Sequence, residues 1–440
     1  MQVLKFGGTS VGKPERMHAI TRLITRNEQP KIVVLSALSG TTNSLVEIGD
    51  ALAASDKVQA QKIIDDLNQH YQLFIDELFN TDGKKEEAQT IVKEHFEFLN
   101  ITLRISFNEA LYRDILAQGE LMSSKLFTLN LLEKGIKVRL LPALEFMRTN
   151  EDNEPDLPFI EKELNGLLAK NADHQLFVTQ GYICKNYKGE IDNLQRGGSD
   201  YTASLIGAAI RASDIQIWTD IDGMHNNDPR VVDKTFPISE LSFDEAAELA
   251  YFGAKILHPA SIWPAQKHGI TVRLLNTMQP DSAGTVISHS SDKADVKALA
   301  AKDGIIAIKV KSSRMLLAYG FLRKIFEIFE KYRTPIDMIT TSEVAVSVTI
   351  DDAKHFDQIL EELKPYGQVD VDAEQTIICV VGNFVAEQKG VVNKIFDALA
   401  EIPVRMISYG GSRHNISLLI DSKNKVKALK KLNEYLFQAV

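Results

Sequence analysis

Six short runs rich in valine, isoleucine and leucine constrain this chain more than any other feature: residues 2–6, 31–38, 137–142, 175–184, 214–220 and 271–276. Runs of this length and composition suit strands buried on both faces. Between them lie amphipathic blocks, such as 15–27, where Met17, Ile20, Leu23 and Ile24 share one helical face. Alternation of the two patterns predicts an α/β domain with a largely parallel sheet sandwiched by helices. One stretch breaks the alternation. No proline occurs from 31 to 141, and most of 44–132 reads as successive helices packed on the sheet.

The last third of the chain repeats itself. Gly320, Lys324-Ile325-Phe326 and Pro335-Ile336-Asp337-Met338-Ile339 recur as Gly390, Lys394-Ile395-Phe396 and Pro403-Val404-Arg405-Met406-Ile407, at offsets of 70, 70 and 68 residues. A period of this size indicates a duplicated structural unit. The first copy reads strand (304–311), helix (321–333), strand (336–341), strand (344–350), helix (353–364), strand (368–372). The second reads strand (376–382), helix (390–400), strand (404–409), strand (415–420), helix (424–437), and is one strand short. An unpaired sheet edge is a liability, and the spare strand-like segment 296–301 can fill it. The expected organisation is therefore a domain over 1–292, a first module over 303–373, and a second built from 294–302 plus 374–440, with the first inserted in it.

Composition excludes several classes. The 440 residues are 44% hydrophobic and 25% charged, as in ordinary globular proteins. The 50 basic and 59 acidic residues give a net charge of −9, which argues against a nucleic-acid binder that works by neutralising phosphates. Cys184 and Cys379 cannot form a disulfide framework, and the ten histidines show no zinc spacing. The longest stretch free of charge, 32–46, is too short and too polar to span a bilayer. With a strand beginning at Val3 and no signal-peptide pattern, a cytoplasmic location with no membrane partner is expected.

Several motifs carry chemistry. Lys5-Phe6-Gly7-Gly8-Thr9-Ser10 ends the first strand, where glycines let backbone N–H groups approach a phosphate and Lys5 supplies a point charge; alone it reads more readily as a turn with a solvated lysine. The segment 7–14 is not a P-loop, because Pro14 occupies the position that needs a hydroxyl. Arg196-Gly197-Gly198-Ser199-Asp200 precedes a helix that Ser199 or Asp200 can cap, and Arg196 can grip a carboxylate with two hydrogen bonds. Trp218-Thr219-Asp220 ends an apolar strand, where ligands sit in open α/β sheets, and Asp228-Pro229-Arg230 follows. In isolation, Glu120 reads as a solvated helix face, Thr42-Asn43 as a helix cap and His258 as a structural histidine.

In combination these segments are specific. Lys5 to Val11, the serine, glycine and threonine run at 36–43, Gly119-Glu120-Leu121-Met122-Ser123, Arg196 to Tyr201, Trp218-Thr219-Asp220, Asp228-Pro229-Arg230-Val231 and Phe252-Gly253-Ala254-Lys255-Ile256-Leu257-His258-Pro259 occur in this order. The chain closely resembles the aspartate kinases, in particular the bacterial monofunctional, lysine-sensitive type, over essentially its whole length. The resemblance implies an amino-acid-kinase fold followed by two α+β modules (βαββαβ) similar to ACT domains. It also implies ATP-dependent phosphorylation of the aspartate side-chain carboxylate to 4-phospho-L-aspartate, the entry to lysine, threonine and methionine synthesis.

Site residues carry over onto matching positions. By resemblance Lys5 stabilises the transferring phosphoryl group and Asp200 orients both the lysine and the metal-bound phosphates. Phe6, Gly7, Gly8, Thr219, Asp220, His225, Arg230, Lys255 and Ile256 line the ATP site. Arg196 holds the α-carboxylate of aspartate and Glu120 its ammonium, while Thr42, Gly197, Gly198 and Ser199 complete the pocket. Mg²⁺ is expected on the ATP phosphates, with no separate protein metal site. Met315, Ala318, Gly320, Phe321, Asp337, Thr341, Ser342 and Glu343 stand where lysine-sensitive members bind lysine, and an Asp337/Glu343 pair suits an ε-ammonium. The modules also imply a homodimer or larger assembly. Two positions depart from the pattern: His225 stands where a tyrosine is usual, and Ala318 where a serine is common.

Overall fold

The first apolar run forms strand β1 (Gln2–Phe6) in the middle of an eight-stranded sheet. The structure, a computed structural model, describes residues 1–194, 197–253, 258–289, 296–315 and 319–437. The chain divides into two compact units. One comprises Met1–Met224, Ser239–Phe243 and Leu257–Ser290; the other comprises His225–Ile238, Asp244–Ile256 and Ser291–Val440.

In the first unit the further strands are β2 (Lys31–Leu35), β3 (Arg139–Leu141), β4 (Leu176–Gln180), β5 (Ile183–Lys185), β6 (Ile191–Asn193), β7 (Ile215–Thr219), β8 (Glu240–Ser242), β9 (Val272–Asn276) and β10 (Thr285–Ser288). The large sheet runs β3-β4-β2-β1-β7-β9-β10-β8, and β5 with β6 forms a separate hairpin. From β3 through β9 every pairing is parallel, and only β10 against β9 is antiparallel. Every residue of β2 and of β4 is buried, as the unbroken apolar runs require.

The runs are longer than the strands they produce. Run 31–38 stops pairing at Leu35, and Ser36–Gly40 becomes the loop that enters the helix Thr41–Ala53. Run 175–184 breaks into β4 and β5 because Tyr182 turns the chain with a φ of +67°. The proline-free stretch gives the helices Thr41–Ala53, Lys57–Leu78, Asp82–Thr102 and Glu109–Glu133. Tyr71, Phe74, Phe96 and Phe127 join these helices to the sheet in one apolar core. The helix Glu109–Glu133 is buried on more than one face, so Gln118, Glu120 and Ser123 lie inside rather than on a solvated side.

The second unit holds β11 (Ala298–Lys311), β12 (Ile339–Thr341), β13 (Ala345–Ile350), β14 (Gln368–Val381), β15 (Val404–Ser408) and β16 (Asn415–Asp421), in the order β12-β13-β11-β14-β16-β15. All its pairings are antiparallel. Where the sequence reads separate strands 296–301 and 304–311, and 368–372 and 376–382, the chain runs through as two continuous strands of 14 residues. The register between them shifts at Lys302–Ile305 and again at Ile305–Ala307, so an irregularity replaces the expected breaks. Ala298–Lys302 pairs with Ile377–Val381, and Ala307–Lys311 with Gln368–Asp372.

Two apolar cores flank that irregularity. Leu299, Ile378, Ile395 and Leu418 belong to one, and Ile308, Phe321, Ile325 and Val348 to the other. Ile325 and Ile378 are fully buried. Ile325→Ala and Ile378→Ala should each cost roughly 2–5 kcal/mol. Thermal unfolding followed by circular dichroism should show a lowered melting temperature for both, while an exposed control, Val426→Ala, should melt like wild type.

Candidate active site

Parallel strands end on the same side of a sheet, so β1, β2, β4 and β7 deliver their following loops to one edge. β1 brings Lys5 and the Gly7-Gly8 turn. β2 brings Ser36 to Gly40, β4 brings Tyr182, and β7 brings Thr219 and Asp220. The helix Gly198–Ile210 adds Ser199 and Asp200.

Its N-cap is Gly197, at a φ of +72°, and no side chain caps it. The expected capping by Ser199 or Asp200 is therefore corrected. The glycine cap starts the helix earlier, which places Ser199 and Asp200 within its first turn and frees both side chains for other partners. Asp200 forms an ion pair with Lys5 at 2.7 Å, with both side chains largely out of water. The Ser36 hydroxyl donates to Ser199 Oγ at 2.9 Å, and the Ser123 hydroxyl to the Ser36 carbonyl at 2.8 Å. The helix Thr41–Ala53 is likewise capped by a left-handed glycine, Gly40, rather than by Thr42 or Asn43.

A cavity of 410 Å³ opens among Gly8, Ser36, Thr42, Glu120, Tyr182 and Ser199. Glu120 reaches it from the helix Glu109–Glu133. A side chain at Gly119 would press on Ala37 Cβ at 2.7 Å, so glycine is what lets this helix lie against the loop after β2. The Ala37 amide donates to Glu120 Oε1 at 3.2 Å, while Oε2 is buried with no hydrogen-bond partner. Burial pushes the Glu120 carboxyl up to about 8, against smaller opposing effects from the Ala37 amide and the Lys5 charge. The nearby Tyr182 phenol is pushed up to about 12, chiefly by burial and further by Glu120. Among the described residues, no cation forms an ion pair with Glu120.

The β1 turn sets two glycines beside the Lys5 ammonium. A Cβ at Gly7 would stand 3.3 Å from the Lys5 ammonium, a tight contact on the side from which that charge is approached. Thr219 donates from its hydroxyl to Asp220 at 3.1 Å. Among the described residues, no three His, Cys, Asp or Glu side chains cluster as a metal-binding group.

The first unit therefore gathers Lys5, Gly7, Gly8, Thr42, Glu120, Gly198, Ser199 and Asp200, with Phe6 buried beneath and stacked on Trp218. His225 and Arg230 belong to the second unit. The His225 ring meets the Thr235 hydroxyl at 3.1 Å, and Arg230 folds back on Asp228 through Nε at 2.9 Å and Nη2 at 2.8 Å. Arg196, Lys255, Ile256 and Ala318 lie outside the described residues.

The remaining effector candidates all belong to the first copy of the repeat. Met315 ends a short 3₁₀ turn, Gly320 caps the helix Phe321–Lys331 in the left-handed region, and Thr341 ends β12, followed by the exposed Ser342 and Glu343. Asp337 is buried and ion-paired to Lys302 at 2.7 Å, and the Tyr251 hydroxyl donates to it at 2.8 Å. Expecting an Asp337/Glu343 pair misses this resident partner. Ser36 and Tyr182 also line the cavity without being singled out by the motifs. Ser36 lies in the run at 36–43, whereas nothing local marks Tyr182, whose place follows from the turn after β4.

The parallel sheet, whose first strand runs through Lys5 into Gly7-Gly8 beside a cavity holding Glu120, belongs to an amino acid kinase: residues 1–276 match the amino acid kinase family. Residues 378–436 match the ACT domain. The lysine-sensitive aspartokinase 3 of Escherichia coli is 32% identical over 448 residues, covering 99% of each chain. The crystal structure of E. coli aspartokinase III in complex with aspartate and ADP (R-state) aligns over the whole of both chains with a TM-score of 0.87 and 31% identity. The same enzyme in complex with lysine and aspartate (T-state) aligns at 0.82. The chain belongs to the aspartokinase family.

Because Glu120 binds its proton more tightly folded than unfolded, its contribution to stability is complete below about pH 4.5. It is then lost as pH rises through about 8. Carbon-13 NMR of labelled glutamate should show one carboxyl titrating near pH 8. Glu120→Gln, which cannot ionise, should gain stability relative to wild type between pH 5 and 9 in denaturant titrations.

Proposed function

We propose that this chain is an aspartate kinase that transfers the γ-phosphoryl group of ATP to the side-chain carboxylate of L-aspartate, yielding 4-phospho-L-aspartate, the first step toward lysine, threonine and methionine. The observation that carries the reading is the Lys5–Asp200 ion pair beside a cavity holding a buried, partnerless Glu120 oxygen. A free α-amino acid presents one ammonium and one α-carboxylate. Glu120 takes the ammonium and Arg196 the α-carboxylate, while Thr42, Gly197, Gly198 and Ser199 close the pocket. An oxygen of the aspartate side chain attacks the γ-phosphorus as the bond to the ADP oxygen breaks. Since that oxygen is already an anion, no general base has to remove a proton, and the barrier is one of position and charge.

Lys5 neutralises the charge on the moving phosphoryl group, and Asp200 holds Lys5 in place. Phe6, Gly7, Gly8, Thr219, Asp220, His225, Arg230, Lys255 and Ile256 form the nucleotide's surroundings. Mg²⁺ supplies charge neutralisation on the phosphates and takes few protein ligands in such sites; Asp200 and Asp220 are the carboxylates suited to it. Met315, Ala318, Gly320, Phe321, Asp337, Thr341, Ser342 and Glu343 receive an amino-acid effector, with lysine the expected inhibitor. The lysine-bound relative supports that choice. Lysine inhibits only by binding an inactive state more tightly than the active one.

The same reading gives a catalytic domain over 1–292, one ACT module over 303–373, and a second from 294–302 plus 374–440 with the first inserted. The pairing of Ala298–Lys302 with Ile377–Val381 supports it. We further infer a homodimer or larger assembly through these modules, and a cytoplasmic location. No helix among the described residues is long and apolar enough to cross a membrane.

Incubation with MgATP, L-aspartate and hydroxylamine should yield aspartyl hydroxamate, and Lys5→Ala should abolish it; hydroxamate formation undiminished in that variant would overturn the assignment. Lysine added to the same assay should inhibit wild type, and Asp337→Asn should blunt the inhibition.

Ammonium binding must displace the Glu120 proton below about pH 8. The KM for aspartate should therefore fall by up to about tenfold per pH unit from pH 6 to 8. Glu120→Gln should flatten that slope and cost about 2–5 kcal/mol of apparent affinity. N-acetyl-aspartate, which lacks the ammonium, should be a poor substrate at every pH.

A further inference from the structure

The segment His225–Ile238 lies within the span that matches the kinase family, yet it packs with the C-terminal modules. Its attachment converges on one side chain. Asn433, in the helix Lys425–Leu436, accepts at Oδ1 from the side-chain amides of Asn226 and Asn227, both at 3.2 Å. Its own amide donates to the Lys234 carbonyl at 3.4 Å. The three bonds use both ends of the amide, and they hold the two ends of the loop 226–234.

Everything nearby makes that grip consequential. Asn226 and Asn227 are buried, so their amide donors lose partners, and not merely contacts, if Asn433 is removed. Asn227 also donates to the Leu429 carbonyl one turn earlier on the same helix, at 3.4 Å. Val232 is buried in the core that holds Leu299, Ile378 and Leu432, and Phe236 meets Phe437 edge to face at 5.8 Å. Between the two clamped ends the loop projects Asp228-Pro229-Arg230. The Asn227 side chain accepts from the Asp228 amide at 2.9 Å, and Asp228 fixes Arg230 in a two-bond fork. The Arg230 side chain itself stays 83% exposed. A chain of hydrogen bonds thus runs from the last helix of the second repeat to one exposed guanidinium.

We propose that Asn433 is a positioning residue for the nucleotide: it clamps the loop 226–234 and thereby sets how Asp228 presents Arg230. This rests on the reading of Arg230 as a nucleotide contact. Asn433 acts through this loop, so its loss should fall on one substrate. A variant that merely loosened the fold would disturb both.

The experiment measures KM for ATP and for aspartate separately, and ADP binding by calorimetry, on full-length protein carrying Asn433→Ala, Asn433→Asp or Arg230→Ala. Asn433→Ala should raise KM for ATP about tenfold and weaken ADP to match, with KM for aspartate changed less than twofold. Asn433→Asp keeps the acceptor for Asn226 and Asn227 but loses the donor to Lys234, and should fall between. The proposal is overturned if a folded Asn433→Ala leaves KM for ATP within twofold of wild type while Arg230→Ala raises it. It is equally overturned if both KM values rise together. If Arg230→Ala changes nothing, the assignment of this loop to the nucleotide fails first, and the proposal with it. Should Asn433→Ala not fold, Asn433→Asp decides by the same criteria.

Discussion

The Lys5–Asp200 ion pair sets the charge balance of the candidate site. Lys5 lies 2.7 Å from Asp200, and its charge also acts on Glu120. A partly buried ion pair of this kind is weak evidence of stabilisation, because desolvation consumes much of the attraction. Here it settles where charge is balanced. With Asp200 already satisfied by Lys5, that one cation cannot also offset the cost of burying Glu120. Burial therefore holds the Glu120 carboxyl well above the usual carboxylate range, and a second cation would lower it. Such a site suits the free amino acid proposed as its substrate, whose ammonium would supply the charge that Glu120 lacks.

The sheet makes that arrangement affordable in chain length. Lys5, Ser36, Tyr182 and Thr219 come from four strands far apart in sequence, yet parallel pairing ends all four strands on one edge. Helix starts complete the set: left-handed glycines at 40 and 197 cap two helices without using side chains. Ser199 is consequently free to meet Ser36, and Asp200 to meet Lys5. Had either capped its own helix, the backbone N–H groups of the first turn would have consumed it.

The strands and the duplication could be read from the sequence because they depend on local pattern. Unbroken apolar runs mark β2 and β4, and the recurrence of Gly320 and Lys324 as Gly390 and Lys394 marks the repeat. Glu120 escapes local pattern for a physical reason. Periodicity predicts one wet face, whereas the helix Glu109–Glu133 is covered on several, so a polar residue in it carries no sign of burial. Only the ordered set of motifs drew attention to it. The continuity of β11 and β14 was hidden for another reason. Polar residues around Lys302–Gly304 and Ala373–Gln375 look like strand ends, but a register shift absorbs them within one ladder. Tyr182 and Asn433 had no local mark at all, since a turn after β4 and a partner some 200 residues away decide their roles.

Sequence family and packing divide this chain differently, and the difference bears on regulation. The kinase-family match runs to residue 276, but His225–Ile238 and Asp244–Ile256 pack with the repeated modules. The helix Phe243–Tyr251 ends on Tyr251, whose hydroxyl donates to Asp337 while the Lys302 ammonium lies over its ring. Lys302 also pairs with Asp337 and Asp351. Coupling between sites needs an element with differential contacts in each state, not a long path between distant surfaces. Two kinase-family segments are already seated on the modules, one through Asn433 and one through Tyr251. Any repacking of the modules around Asn433 or Asp337 would therefore have to remake the contacts that hold these two segments.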